Sequence, residues 1–156
     1  MRCFASLPLG KLRPLDLCKP REYAVHMNGA FRKLLLAKIH GAVVTEANVA
    51  YEGSITIPRN LLELTALLPH ESVHVWNITR GTRFETYILD GGDRQREIDV
   101  NGAAAHLVEP GDSLIVAGFI QLPAETAHLH VPKVVFLNTD NSVKDIRREK
   151  PGTIAA

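Results

Sequence analysis

Gly53-Ser54, within Tyr51-Glu52-Gly53-Ser54, is the peptide bond of this chain best suited to breaking itself. Alone, a Gly-Ser pair is an ordinary turn signal. A serine hydroxyl can nevertheless attack the carbonyl carbon of the residue before it and shift the acyl group from nitrogen to oxygen. The shift is normally uphill. It proceeds where the peptide is strained and a donor stabilises the oxyanion. Gly53 tolerates unusual backbone angles and leaves its carbonyl sterically open. Elimination of the ester gives a dehydroalanine, which hydrolyses to a pyruvoyl group at position 54, while the amino-terminal piece ends at Gly53.

A pyruvoyl group is a carbonyl cofactor made from the chain. A substrate amine condenses with its ketone as a Schiff base, and the adjacent carbonyl accepts electrons as a carboxylate leaves as carbon dioxide. No pyridoxal phosphate and no metal are needed. The neighbouring stretches hold groups able to bind a carboxylate and to give up a proton. Arg83 offers a planar fork that pairs bidentately with a carboxylate, and Lys38 offers a point charge. Gly102-Ala103-Ala104 lets backbone N–H groups approach a ligand closely. A tyrosine hydroxyl such as that of Tyr87 keeps its proton at neutral pH and can act as an acid.

Five stretches together resemble the pyruvoyl-dependent aspartate 1-decarboxylase family: Lys38-Ile39-His40, Tyr51 to Ser54, Trp76-Asn77-Ile78-Thr79, Arg83-Phe84-Glu85-Thr86-Tyr87 and Asn101-Gly102-Ala103-Ala104-Ala105-His106. The resemblance runs from Met27 to about Val143. It implies decarboxylation of L-aspartate to β-alanine for pantothenate and coenzyme A synthesis, in the cytoplasm. It implies a double-psi β-barrel assembled as a homotetramer with sites between subunits, and it leaves open a maturation helper protein as a partner. Residue by residue, it implies that Ser54 becomes the pyruvoyl group and that Tyr87 is the proton donor. Thr86 acts with Gly53 and Ser54 in self-cleavage and also touches ligand. Lys38 and Arg83 engage substrate carboxylates, and Gly102, Ala103 and Ala104 touch substrate through backbone. His40, Tyr51 and Asn101 support the site or its processing.

Each side chain also has a plainer reading. Arg83 and Lys38 fit solvated surface charges, and Tyr87 fits a barrel-filling aromatic. His40 and His106 fit hydrogen bonds internal to the fold. Trp76 reads as core. The order and spacing of all five stretches favour the active site.

The elements that must position these residues are short strands separated by turn signals. Strands are expected over 33–40, with a continuation over 43–45 after Gly41, and over 54–57, 72–78, 82–89, 95–100, 113–120 and 131–137. Arg80-Gly81 makes a hairpin turn. Pro58 opens a short helix, as proline does at a first helical position, with Leu61, Leu64, Leu67 and Leu68 on one buried face. If the strand over 82–89 is regular, Thr86 and Tyr87 point to opposite faces. Many short strands, one or two short helices and no βαβ rhythm indicate a mainly-β chain closing into a small barrel.

The 156 residues are 46% apolar and 22% charged, with a net charge of +1, enough for one domain with a real core. No apolar run approaches the roughly 18 residues that span a bilayer. Residues 1–26 hold five basic and two acidic side chains, three prolines and both cysteines, Cys3 and Cys18. They read as a disordered extension or as upstream sequence ahead of a start at Met27, the latter preferred because patterned sequence begins just beyond it. Residues 27–143 form the catalytic barrel and 144–156 a flexible tail. The barrel without cysteine suits a reducing compartment. His128 and His130 would share a side of a strand, but no histidine spacing matches a zinc site.

One rival class is a binding module. The run 53–63 resembles the strand-then-helix opening of AbrB-like DNA-binding regulators. Residues 27–156, with 13 basic and 15 acidic side chains, lack the basic surface such proteins need. A structural relative that no longer cleaves itself is the other alternative, against which Ser54 stands.

Overall fold

Alternating apolar positions resolve into nine strands and one helix among residues 29–149, which the computed structural model describes. They are β1 (Phe31–Val43), β2 (Glu46–Asn48), β3 (Ile55–Ile57), α1 (Arg59–Thr65), β4 (Ser72–Asn77), β5 (Arg83–Asp90), β6 (Asp99–Asn101), β7 (Ser113–Pro123), β8 (Lys133–Leu137) and β9 (Val143–Arg148). The strands pair in the order β2-β6-β3-β5-β4-β7-β1-β8-β9. Antiparallel neighbours are interleaved with three parallel pairs, β1 with β8, β2 with β6 and β3 with β5. Parallel partners cannot be joined by a tight turn, so each pair needs a crossover. The mainly-β small-barrel class expected from the sequence is the one observed.

The core lies along the inner face. Ile39, Ile55, Ile57, Val75, Ile88 and Val116 have no solvent exposure, and each such side chain contributes about 1.5–3 kcal/mol on burial. β3 and β6 are buried at every position, so they show no alternation and sit well inside the structure.

Several boundaries differ from expectation, each for a local reason. β1 does not stop at Gly41. Its ladder with β7 passes the glycine by a register shift between His40 and Ala42, and Gly41, at φ +83°, takes the left-handed conformation such a bulge uses. The strand expected over 95–100 is only Asp99–Asn101, because the chain is still turning at Arg96, φ +72°. In α1, Pro58 stands just before the first helical residue, and Ala66, φ 59°, ends the helix. That left-handed residue returns Leu67 to the core and leaves Leu68 at 65% exposure. The buried leucines are therefore Leu61, Leu62 and Leu67, with Leu64 partly covered and Leu68 outside.

The expected tail over 144–156 is corrected in part: Val143–Arg148 is a strand paired antiparallel with β8. Its turn is pinned by buried Asn141, which accepts from the Val43 amide at 2.7 Å and donates to the Val43 and Arg96 carbonyls at 2.8 Å. The proposed extension over 1–26, with both cysteines, lies outside the described residues, as do residues 150–156. His128 and His130 are not on a strand. His128 belongs to a 3-10 turn, Ala127–Leu129, and His130 Nε2 donates to the Leu35 carbonyl at 2.8 Å.

Buried Asp112 ties two site-bearing segments together. It accepts from Asn77 Nδ2 at 2.8 Å, from Arg80 Nε at 2.7 Å and from the Glu109 amide at 2.9 Å. Thr82 Oγ1 and Asn77 Nδ2 reach the Leu107 carbonyl, so the β4–β5 hairpin is fastened to the 3-10 segment Gly102–Leu107. Burial pushes the Asp112 carboxyl up, but its hydrogen bonds from Asn77, Glu109 and Arg80 outweigh this and leave it below the ordinary aspartate range. A depressed carboxylate stabilises the fold above its unfolded pKa, near 3.9, and loses that contribution as pH falls through the folded value. Asp112→Asn should cost about 1–3 kcal/mol at neutral pH. The gap in thermal midpoint from the unaltered protein should close below about pH 4; a pH-independent gap would deny Asp112 this role.

Candidate active site

Ser54 enters β3 with its hydroxyl and carbonyl already occupied. Its side chain is 1% exposed. Oγ accepts a hydrogen bond from the Tyr87 amide at 3.0 Å, and its carbonyl accepts from the Asn101 amide at 2.7 Å. These contacts follow from the sheet order, since β3 pairs with β5 on one side and β6 on the other. The residue expected to react is thus held from both sides by backbone.

Gly53 and Gly102 meet in front of it. A Cβ built on Gly102 would lie 2.9 Å from the Gly53 carbonyl oxygen. A Cβ on Gly53 would lie 2.9 Å from Leu89 Cδ1 and 3.1 Å from the Tyr51 ring. Gly102 has φ +61°, a conformation unfavourable for residues with a Cβ. The Gly102 backbone can lie this close to the Gly53 carbonyl because Gly102 carries no side chain, and Gly53 fits between Leu89 and Tyr51 for the same reason.

Along β5, exposure alternates: Arg83, Glu85 and Tyr87 face out, while Phe84, Thr86 and Ile88 face in. Thr86 and Tyr87 do point oppositely, as a regular strand requires. Tyr87 reaches Ser54 through its amide, and its side chain is 44% exposed on the outer face. Arg83 stands on that face beside Trp76, its guanidinium carbon 6.0 Å from the ring centroid. Trp76 is half-buried there and not in the core, contrary to expectation, because it lies opposite Arg83 in the β4–β5 register.

Register places Lys38 on the same outer face but elsewhere. Glu85 pairs with His74, His74 with Ala117 and Ala117 with Lys38. Three strand spacings put Lys38 about 14 Å from Glu85, which lies midway between Arg83 and Tyr87. The Lys38 ammonium is ion-paired with Glu149 at 3.5 Å, on the side of β1 away from β5. His40, two residues on, lies against Phe136 with ring centroids 5.3 Å apart. Burial, and then the Lys38 charge, hold its pKa below the usual histidine value.

A single chain thus gathers Tyr51, Gly53, Ser54, Asn101, Gly102 and the Tyr87 amide, and leaves Lys38 and His40 apart. Ala103 is exposed and Ala104 half-buried in the 3-10 segment. Asn101 is buried and donates from Nδ2 to Thr56 Oγ1 at 3.3 Å. Beside the junction is a polar cavity of about 330 Å³ lined by Glu46, Asn48, Tyr51, Thr56, Arg94, Asp99 and Asn101. Five of these carry no sequence signal: Glu46, Asn48, Thr56 and Asp99 meet through pairings within the β2-β6-β3 part of the sheet, and Arg94, in the loop before β6, joins them through its 3.2 Å contact with Asp99. Among the described residues, no three His, Cys, Asp or Glu side chains gather to hold a metal ion, and no helix is long and apolar enough to cross a membrane.

Residues 30–144 match the sequence model of the family described as aspartate decarboxylase. The aspartate 1-decarboxylase of Legionella pneumophila (strain Paris) is 54% identical over 123 residues, covering 79% of this chain and 92% of that protein. The aspartate 1-decarboxylase of Rhodopirellula baltica is 46% identical over 122 residues, 78% of each chain. That of Syntrophotalea carbinolica is 45% identical over 121 residues, 78% of this chain and 92% of its own length.

Proposed function

The chain belongs to the aspartate decarboxylase family and decarboxylates aspartate, and we propose that it does so after cleaving itself between Gly53 and Ser54, with a pyruvoyl group formed from Ser54. The product is β-alanine, which feeds pantothenate and coenzyme A synthesis in the cytoplasm. The observation that carries this reading is the junction itself. Ser54 Oγ is fixed by the Tyr87 amide, and the Gly53 carbonyl faces a glycine across a gap that a methyl group would close.

Self-cleavage balances without a second reactant until its last step. Oγ attacks the Gly53 carbonyl carbon, and the peptide C–N bond breaks as the ester forms. Elimination removes the Ser54 Cα proton and turns that electron pair into the Cα=Cβ bond. The Cβ–Oγ bond breaks and Oγ leaves as part of the new Gly53 carboxylate, whose charge balances the released proton. Hydrolysis of the dehydroalanine consumes one water and releases one ammonia. The residues present fit the group that results: the Asn101 amide donates to the Ser54 carbonyl, which cleavage leaves in place, and the Tyr87 amide, which loses its acceptor when Oγ departs, is a donor beside the new ketone. When formed, a pyruvoyl group takes the substrate's amine and holds the electrons left by the departing carbon dioxide.

The chain's own side chains then bind and protonate. Arg83 pairs with one substrate carboxylate through two parallel N–H···O bonds. Tyr87, on the same face of β5, delivers a proton from its hydroxyl to the carbon that lost carbon dioxide. Thr86 serves self-cleavage from the inner face. Gly102, Ala103 and Ala104 present backbone N–H groups, while His40, Tyr51 and Asn101 support the arrangement.

Lys38 completes the carboxylate site from another copy. It shares the outer face with Arg83 but is drawn away from it by Glu149. That face also carries half-buried Trp76, Ile115, Phe119 and Phe136. Copies meeting through it would bring one chain's Lys38 to another's Arg83 and Tyr87. This supports a homotetramer with sites between subunits.

The test is the intact mass of the purified protein. Two fragments divided between Gly53 and Ser54 are expected, their summed mass that of the whole chain plus one water minus one ammonia. The larger should resist amino-terminal sequencing and be trapped by borohydride in the presence of aspartate. A single unbroken chain, or an ordinary amino group at position 54, would overturn the proposal.

A further inference from the structure

The ion pair between Lys38 and Glu149 has no part in the reaction as proposed, yet it occupies one of its binding groups. Glu149 lies one residue past β9, and its amide still donates to the Pro132 carbonyl at 3.1 Å, so the β8–β9 register delivers its side chain. Its carboxylate stands 3.5 Å from Lys38 Nζ; Lys38 is 21% exposed and Glu149 51%. The other charges facing Lys38 do not serve it as anions. Arg147, across Val134 from Lys38, spends its charge on Asp145 at 2.6 Å and lies over the Phe136 ring at 4.8 Å. His40, two residues along β1, stands against Phe136. Among the described residues, Glu149 is the carboxylate recorded against Lys38.

We infer that Glu149 is a positioning residue that acts through Lys38, its carboxylate competing with the substrate's carboxylate for that ammonium. The inference rests on the reading of Lys38 as a carboxylate-binding group. An ammonium on a flexible stem has one charge to offer. An incoming dicarboxylate must displace Glu149 or share Lys38 with it, and the binding-competent fraction of sites falls accordingly. The pair is half-exposed, so the effect is modest: exposed pairs of this kind correspond to at most about a fivefold change in an equilibrium constant.

The experiment compares steady-state decarboxylation of aspartate by self-cleaved wild type, Glu149→Gln, Glu149→Asp, Lys38→Gln and the Lys38→Gln/Glu149→Gln double variant. Glu149→Gln should lower KM for aspartate roughly two- to fivefold, with kcat, extent of self-cleavage and thermal midpoint unchanged. Glu149→Asp, which keeps the charge, should restore a KM close to wild type. Raising the salt concentration should shrink the difference through screening. In the Lys38→Gln background, Glu149→Gln should do nothing. An unchanged or raised KM for Glu149→Gln, beside a raised KM for Lys38→Gln, would overturn the competition while leaving the Lys38 reading standing. A Lys38→Gln variant with wild-type KM would overturn both.

Discussion

Ser54→Ala is expected to remain one unbroken chain without decarboxylase activity, however long it is incubated. The argument is stoichiometric before it is energetic. Alanine has no oxygen to attack the Gly53 carbonyl, so no ester and no ketone can form at position 54. The loss is therefore complete, because the proposed reaction takes its electron sink from position 54. The fold should survive. Ser54 Oγ accepts only the Tyr87 amide among its recorded bonds, and leaving that amide unpaired in a buried place costs about 1–3 kcal/mol. The Asn101 amide and the Ser54 carbonyl remain in place, since both are backbone. A folded Ser54→Ala variant is thus the right control, measured by intact mass, thermal midpoint and carbon dioxide release. Residual turnover above background in that variant would move the chemistry away from Ser54.

The sequence makes the junction legible because the chemistry needs particular atoms in a particular order. Glycine before serine, an arginine and a tyrosine four residues apart, and a small-residue run with a leading glycine are all local patterns. Register is not local. Nothing in Lys38-Ile39-His40 says that two strands, β7 and β4, separate it from Glu85, and that distance bears on how Lys38 can meet Arg83. The hairpin at Arg80-Gly81 and strands β4, β5 and β7 were readable from alternation, because each has one face on the core. β9 was not, because it is an edge strand with five of six positions exposed, fixed by Asn141 bonds to Val43 and Arg96 far along the chain. A fraying tail and an exposed edge strand look alike in composition. Glu149 was missed with it. Trp76 was misplaced for a related reason: an aromatic on a strand reads as core unless the opposite residue, here Arg83, is known. The DNA-binding alternative rested on the run 53–63, a strand-to-helix turn that a small barrel uses irrespective of function.

Gly102→Ala should fold and yet cleave at least about 10- to 100-fold more slowly than wild type. Two penalties act at this position, and they separate. The first is conformational: at φ +61° an L-residue costs roughly 1–2 kcal/mol, which lowers the thermal midpoint. The second is contact. The new methyl would sit 2.9 Å from the Gly53 carbonyl oxygen, the atom on which negative charge develops when Oγ attacks. That oxygen belongs to backbone and cannot swing aside as a side-chain terminus can, so the 51–53 segment or the 101–103 segment must move. Intramolecular attack depends on near-contact alignment, and a displacement of about 1 Å is enough for a hundredfold loss. Gly111→Ala is the matched control. Gly111 has φ +92°, and a Cβ there meets nothing within 4 Å, so it carries the backbone penalty without the contact. Both variants should melt lower, and only Gly102→Ala should accumulate uncleaved chain, followed as the ratio of whole to fragment mass over time after synthesis. Equal cleavage rates in the two would mean that the close approach of Gly102 to Gly53 serves packing alone. A slow Gly102→Ala beside a normal Gly111→Ala would assign the glycine pair to the cleavage step, because a positive-φ penalty alone would slow neither.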